Sequence, residues 1–290
     1  MAAAFERDAH HHGHRVLWFG AGERLERLHA ADPGHAVLPL GAQPWWDPRR
    51  WHVDGAARAS LRAQLHRAQH KGVTVEAWTP ATARQGRGAL QEVLDAWLAT
   101  RGLPPLHFLI EPQTLDRLDD RRVFVARQGA TVLAFLVATP IPARRGWLIE
   151  QWPRRPHAPN GTVELLLDAA MRTLAGDGAE QVTLGLAPLS TRAPRATTVD
   201  GAPLPAWVRV ALRWARAHGR RFYDFDGLDA FKAKFAPDRW EPLVAIVDRP
   251  RVDVGALWAI AGAFGRGNPA GLAVRGVARA LRAELRRTVR

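Results

Sequence analysis

Three segments join polar or charged groups to turn-forming residues in a way that a packed core does not require. They are Glu150 to Thr162 (EQWPRRPHAPNGT), Thr183 to Ser190 (TLGLAPLS) and Phe231 to Glu241 (FKAKFAPDRWE). Glu150 closes an apolar, strand-like run and is followed by Arg154 and Arg155. A carboxylate with arginine neighbours can act as a base, orient another group or complete a phosphate clamp, and a surface ion pair answers to the same spacing. Asn160 stands between Pro159 and Gly161 where a helical run begins. Free backbone N–H groups there can hold an anion or an oxyanion, and a plain N-cap is the alternative. Glu164 either faces the same cleft or is a first-turn acid that suits the helix dipole.

In FKAKF, Phe231 and Phe235 lie four apart, so on a short helix the rings pack inward while Lys232 and Lys234 project past them. That geometry suits a phosphate or a developing negative charge; a basic surface turn is the bland reading. Lys71 is the remaining lysine in a chain otherwise dominated by arginine, so two lysines in one short segment are informative.

Other chemistries find less support. The chain has no cysteine, which excludes disulfides, thiolate metal sites and a cysteine nucleophile. Ser190 follows Pro188 and Leu189 and lacks the glycine-flanked nucleophile elbow. His66 and His70 have helical spacing without the glutamate or further ligand of a zinc motif. The run His10, His11, His12 and His14 reads as a terminus able to chelate adventitiously. No metal site and no cofactor are expected. Arg84 to Leu90 (RQGRGAL) resembles a pyrophosphate-binding loop only superficially, its last small residue falling one place early.

The elements that must position these residues follow from periodicity. Arg15 to Phe19 reads as a strand, Glu23 to Ala31 as a helix and the Pro- and Trp-rich stretch Gly41 to Trp51 as a loop. A basic helix, Arg58 to His70, buries Leu61, Leu65 and Ala68 and stops at Gly72. Strands are expected at Val73 to Trp78, Arg122 to Ala126, Thr131 to Ala138, Gly146 to Trp152, Gln181 to Leu186, Phe222 to Phe225 and Leu243 to Val247. Helices are expected over Gly88 to Thr100, Gly161 to Ala175, Pro203 to His218 and Leu228 to Phe235, with Gly102, Pro104 and Pro105 ending the first of these. Helices around a mostly antiparallel mixed sheet give an α/β (α+β) fold of the GNAT-like acyltransferase type rather than a doubly wound nucleotide fold. The domains expected are an abbreviated GNAT-like subdomain over 1–57, a GNAT-like transferase domain over 58–250 and a basic tail over 251–290.

Net charge is +13, which implies an anionic partner such as nucleic acid, acidic phospholipid or a polyphosphate-bearing cofactor. No apolar run reaches the ~18–20 residues of a bilayer span. The N-terminus lacks the apolar core of a secretory signal, so the cytoplasm is the expected compartment.

Taken in order, LRAQLHRAQHKGV, APNGTVELLL, TLGLAPLS and GLDAFKAKFAPDRWEP resemble the catalytic domain of the aminoacyl-phosphatidylglycerol synthases, over about Arg58 to Val247 and in the form that lacks the flippase. The resemblance implies tRNA-dependent aminoacyl transfer to a lipid hydroxyl such as that of phosphatidylglycerol, by direct attack and without acetyl-CoA. It implies aminoacyl-tRNA as co-substrate and anionic phospholipid as partner at the inner membrane surface. Glu150 would be the orienting acid or base, with Glu164 a second acid. The family's arginine would fall at Pro153, with Arg154 and Arg155 just beyond, so either a neighbour such as Arg154 substitutes for it or activity is altered. Lys232 and Lys234 would stabilise charge, and Asn160 with Gly161 would form a polar site at the helix start. Thr162, Pro188, Ser190, Phe231 and Phe235 would contact substrate, and Arg62 and Arg67 the tRNA backbone. The tail residues Leu257, Trp258, Ile260 and Phe264 would dip into a headgroup layer, or else form a helix packed on the domain. Two other readings stand beside this one: an acyl-CoA-dependent N-acyltransferase and a noncatalytic module binding tRNA or anionic lipid.

Overall fold

The computed structural model describes residues 1–30, 32–100, 112–194, 206–207 and 224–264. The elements begin with α1 (Ala2–His11), β1 (Leu17–Ala21), α2 (Glu23–Ala30) and β2 (Ala36–Trp46), then α3 (Ala59–His70), β3 (Val73–Trp78), α4 (Pro80–Gln85) and α5 (Arg87–Ala99). The middle of the chain supplies β4 (Arg122–Gln128), β5 (Thr131–Ile141), β6 (Gly146–Gln151), α6 (Thr162–Gly176), β7 (Gln181–Thr183) and β8 (Ala187–Pro188). The last elements are α7 (Phe225–Ala233), β9 (Arg239–Val247) and α8 (Val254–Phe264). Two compact units result, one from 44–185 with 230–239, the other from 1–43, 186–229 and 240–290. Each draws on segments distant in the chain.

In the unit that begins at Pro44, the end of β2 is followed by β7, β6, β5, β4 and β3. Every neighbouring pair is antiparallel except β6 with β7. Alternation on β4 explains the two layers. Phe124 and Ala126 point to one face, where Leu61, Leu65 and Ala68 of α3 and Leu166, Leu167 and Ala170 of α6 bury them. Val123 and Val125 point to the other, against Leu90, Val93 and Leu94 of α5.

Two irregularities interrupt this sheet near its centre. The pairing of β5 with β6 shifts between Val137 and Ala138, so that Glu150 is the extra residue of a bulge between Ile149 and Gln151. The parallel pairing of β6 with β7 runs only from Gly146 to Leu148 opposite Gln181 to Thr183. Beyond that point the chain after β7 turns at Gly185, whose N–H donates to Thr183 Oγ1 at 3.1 Å and whose φ is +68°.

The stretch from Gly41 to Trp51 is not the loop expected: β2 continues to Trp46. Turn-forming prolines are outweighed here by burial, since Trp45 and Trp46 are almost wholly enclosed and the Trp46 indole N–H donates to the Phe235 carbonyl at 2.9 Å. Trp51 is held likewise, donating to Asp168 at 2.7 Å. The strand expected over Gln181 to Leu186 is cut short at Thr183 by the Gly185 turn. Phe225 opens α7 instead of closing a strand. The helix expected over 203–218, apart from residues 206–207, the residues 222–223, the helix stop at 102–105 and the tail from 265 onward lie outside the described residues.

In the other unit β9 lies between β1 and β2, and β8 pairs with β2 through Gly41 and Ala42. A small core of Ala21, Val244 and Ile246 is covered by Trp18, Leu25 and Val37. On α8, Ala256 and Ile260 are buried, so Ile260 is not a lipid-facing residue, whereas Trp258 is exposed. Among the described residues no helix is long and apolar enough to cross a membrane.

The start of α6 rests on one backbone contact. Gly161 has φ +94°, and a Cβ there would lie 2.0 Å from the Gln64 carbonyl oxygen of α3. Gly161→Ala is therefore expected to cost about 1–3 kcal/mol, from a disfavoured backbone region plus a clash that must push two helices apart. Urea denaturation followed by tryptophan fluorescence checks this; an unchanged midpoint would mean that the contact does not hold the helix start in place.

Candidate active site

The turn that leads into α6 is tied by Thr162, whose hydroxyl and backbone N–H both donate to the Pro159 carbonyl, at 2.7 and 3.2 Å. Gly161, not Asn160, occupies the N-cap position, and no side chain caps the helix. Asn160 is exposed. The Leu165 N–H bonds back to the Gly161 carbonyl, which leaves the N–H groups of Val163 and Glu164 at the open end of the helix.

These residues line a cleft of about 450 Å³, within the range of small-ligand pockets. Gln64, Trp97, Trp152, Arg154 and Phe231 complete its wall. Trp152 and Phe231 stack with ring centres 5.9 Å apart and nearly parallel planes. Phe231 meets Phe235 edge-on at 5.1 Å, and Phe235 is sunk in the core. Three aromatic side chains, Trp97, Trp152 and Phe231, thus share the wall with the polar side chains of Gln64, Arg154, Asn160, Thr162 and Glu164.

The two lysines of FKAKF have different surroundings. Lys232 is buried, and its ammonium donates to the carbonyls of Leu184 at 2.7 Å and Gly185 at 2.9 Å. Those carbonyls lie just past the point where β7 leaves β6, and the lysine satisfies them. Lys234 lies past the last turn of α7. It donates to Glu164 Oε1 at 2.5 Å and sits 5.8 Å from the centre of the Phe231 ring. About a quarter of the Lys234 side chain is exposed, against 12% for Glu164. The pair joins the start of α6 to the end of α7 beside the cleft.

Arg58 fastens the chain just beyond. Its guanidinium donates to the His52 carbonyl and, at 3.4 Å, to that of Ala236, and stands over the Trp51 ring. Burial pushes this guanidinium below its ordinary value, and the charge of Asp238 opposes that shift.

The structure thus gathers Arg154, Asn160, Gly161, Thr162, Glu164 and Phe231 around one cleft, with Lys234 bonded to Glu164. Other expected site residues lie elsewhere. Glu150 does not line the cleft: it accepts hydrogen bonds from Thr139 and, at 3.1 Å, from Thr114, and pairs with Arg121 at 3.6 Å. Arg62 is committed to the carbonyls of Val53 and Gly55, while Arg67 is exposed. Pro188 and Ser190 belong to the other unit, Pro188 paired with Gly41 and Ser190 accepting from Arg192 N at 3.3 Å. Gly86 of the RQGRGAL segment packs beneath Trp78, so close that a Cβ would overlap the ring. Among the described residues, Glu164 is the sole carboxylate of the cleft wall, which holds no histidine and therefore no evident set of metal donors.

Three wall residues are not evident from sequence. Trp97 and Trp152 look like core aromatics. Gln64 carries a usable signal, because it falls on the same helical stripe as Leu61, Leu65 and Ala68, where a polar residue needs a reason. Its Oε1 is buried and has no hydrogen-bond partner.

Lys232→Met should destabilise the protein by about 1–3 kcal/mol, because two buried carbonyls lose a charged donor. Lys234→Met, at a partly exposed ion pair, should cost about 1 kcal/mol or less. Equal losses in urea denaturation would show that the two ammonium groups are not divided in this way.

Comparisons with known proteins agree with the fold. A phosphatidylglycerol lysyltransferase from Bacillus subtilis is 23% identical over 235 residues, which are 81% of this chain and 26% of that protein. The chain therefore spans about a quarter of the length of this curated relative. The crystal structure of the C-terminal domain of a protein named as a lysylphosphatidylglycerol synthetase from Agrobacterium fabrum superposes with a TM-score of 0.70 at 28% identity, covering 89% of this chain and 75% of that one. The structure of L-PGS from Bacillus licheniformis shares the fold, with a TM-score of 0.66 at 21% identity over 88% of this chain and 74% of that one. The mixed sheet flanked by helices is the α/β (α+β) arrangement expected, and both of these structures share it. The family model described as phosphatidylglycerol lysyltransferase, C-terminal, matches residues 1–246, and the chain belongs to that family.

Proposed function

We propose that the chain transfers an aminoacyl group, lysyl in the first instance, from aminoacyl-tRNA to a hydroxyl of phosphatidylglycerol. Family membership supports the reaction class. The observation that carries the reading is the Glu164–Lys234 ion pair beside an aromatic cleft at the open end of α6. In this reading the lipid hydroxyl attacks the carbonyl carbon of the aminoacyl ester. Glu164 accepts the hydroxyl proton as the new C–O bond forms. The tetrahedral oxyanion is met by the Lys234 ammonium and the first-turn N–H groups of α6. Collapse breaks the bond to the tRNA ribose oxygen, which takes the proton back from Glu164. One ester replaces another, so the reaction is nearly balanced in energy and needs neither acetyl-CoA nor a covalent enzyme intermediate. Positioning supplies most of the acceleration.

Lys232 supports this site from within the fold by holding the turn after β7. Glu150 orients the bulge of β6 from outside the cleft. Arg67 on exposed α3, together with the net charge of +13, suits contact with tRNA phosphates, which position without reading sequence. The protein works at the cytoplasmic face of the membrane, where aminoacyl-tRNA meets the acidic headgroups.

The test is to incubate the purified protein with tRNA carrying a radiolabelled lysyl group and mixed vesicles containing phosphatidylglycerol. Label moving into the lipid phase supports the reading, and acetyl-CoA turnover without such transfer overturns it. Binding of both substrates without transfer would favour a noncatalytic module. Glu164→Gln and Lys234→Ala should each lower transfer by about 10²–10⁴-fold. Glu150→Gln should lower it by less, and wild-type rates in the first two variants would mean that the reaction takes place in another cleft.

A further inference from the structure

Far from these residues in the sequence, Glu6, His29 and His35 bring three ligand atoms to one point in the unit that begins at Met1. Glu6 is the buried residue of α1, His29 lies in the last turn of α2, and His35 immediately precedes β2. His29 Nε2 lies 3.1 Å from Glu6 Oε1 and His35 Nε2 lies 3.3 Å from the same oxygen. All three ligand atoms are within 4.8 Å of one another. The side chains are only 9% exposed for Glu6, 7% for His29 and 10% for His35.

The opposite ring nitrogens face acceptors. His29 Nδ1 lies 3.0 Å from the Leu25 carbonyl oxygen, which can only accept, so Nδ1 donates there and Nε2 is the nitrogen turned to Glu6. His35 Nδ1 lies 3.0 Å from Asp32 Oδ2, off the line of an ideal hydrogen bond but with a carboxylate as its nearest acceptor. Two imidazole nitrogens and a carboxylate oxygen therefore converge, with the rings 4.5 Å apart between centres. A single divalent cation satisfies all three donors at once. Tetrahedral zinc, with bonds of about 2.0–2.1 Å, sets neighbouring ligand atoms roughly 3.3 Å apart, as the two nitrogen-to-oxygen distances require.

Outer contacts complete the pattern. Trp18 Nε1 donates to Glu6 Oε1 at 2.6 Å, fixing the carboxylate. The carbonyl behind His29 and the carboxylate behind His35 are the partners that orient metal-bound imidazoles.

We propose that Glu6, His29 and His35 form a binding site for one divalent transition-metal ion of the zinc class, with solvent in the fourth position, which fastens α1 to β1, α2 and the start of β2. The donor set of two imidazoles and a carboxylate favours zinc over magnesium or calcium. It shares no residue with the transfer reaction and stands or falls independently of it.

Cobalt titration of the metal-stripped full chain tests the site, and the neighbouring histidine run must be silenced first. In a background with His10, His11, His12 and His14 each replaced by Ala, one cobalt ion per chain should bind with the intense visible absorption of tetrahedral coordination. Zinc should displace it and raise the thermal midpoint. His35→Gln in that background should weaken binding by more than about 100-fold and abolish the absorption, and the milder Asp32→Asn should weaken it by about 10-fold or more while leaving the fold intact. No tetrahedral cobalt absorption in the background protein, or binding unchanged by both His35→Gln and Asp32→Asn, would overturn the proposal.

Discussion

The backbone of α3 leaves no room for a side chain where α6 begins, and the cleft depends on that constraint. Because Gly161 can turn at φ +94° against the Gln64 carbonyl, the first turn of α6 is set down on α3. Its free N–H groups then open beside Trp152 and Phe231 rather than into the core. Everything polar in the cleft is positioned from this turn: Thr162 by its bonds to Pro159, Glu164 one residue short of the first buried leucine, and Gln64 from the helix below. A larger residue at 161 would displace the acid and the helix end together, since both are carried by the same turn.

Burial separates two lysines that the sequence presents as equivalents. An ammonium enclosed to the extent of Lys232 is tolerated only with acceptors around it, and Leu184 and Gly185 offer carbonyls that the interrupted β6 and β7 pairing does not use. Its charge thus stabilises a sheet irregularity. Lys234 keeps contact with solvent and has a carboxylate for partner, so its position can respond to a ligand. The break in the sheet and the ion pair at the cleft are consequently linked through the same short segment of chain, which Trp46 and Arg58 pin at Phe235 and Ala236.

Much of this is legible in the sequence. The helices of Leu61 to Ala68 and of Leu90 to Leu98, the strands β3 to β6 and the cluster of Asn160, Gly161, Glu164 and Lys234 follow from periodicity, from glycine placement and from the family resemblance. The features that are not legible depend on tertiary contacts. Trp45 and Trp46 belong to a strand because core burial overrides the prolines beside them, a preference that local propensity cannot register. Glu150 reads as a strand-end acid, but a bulge, which depends on the register of a neighbouring strand, turns it toward Thr114, Thr139 and Arg121. Glu6, His29 and His35 have no recognisable spacing because three separate segments must meet before they become neighbours.

Pro153 shows why a departure from a family pattern has to be read through the backbone. The residues after the bulge continue alongside β5: the Phe135 N–H donates to the Pro153 carbonyl at 3.1 Å, the Arg155 N–H to the Leu133 carbonyl at 2.8 Å, and Arg154 bridges to Ala134 between them. In extended chain, residues 153 and 155 face one way and 154 the other. Pro153 is buried, and Arg155 reaches the Val132 carbonyl and Glu92, whereas Arg154 lines the cleft. An arginine at 153 would share the direction of Arg155 and compete for buried space. On this stretch the cation that lines the cleft is at the neighbouring position, Arg154, and proline at 153 costs no hydrogen bond because only its carbonyl is used in the pairing with β5.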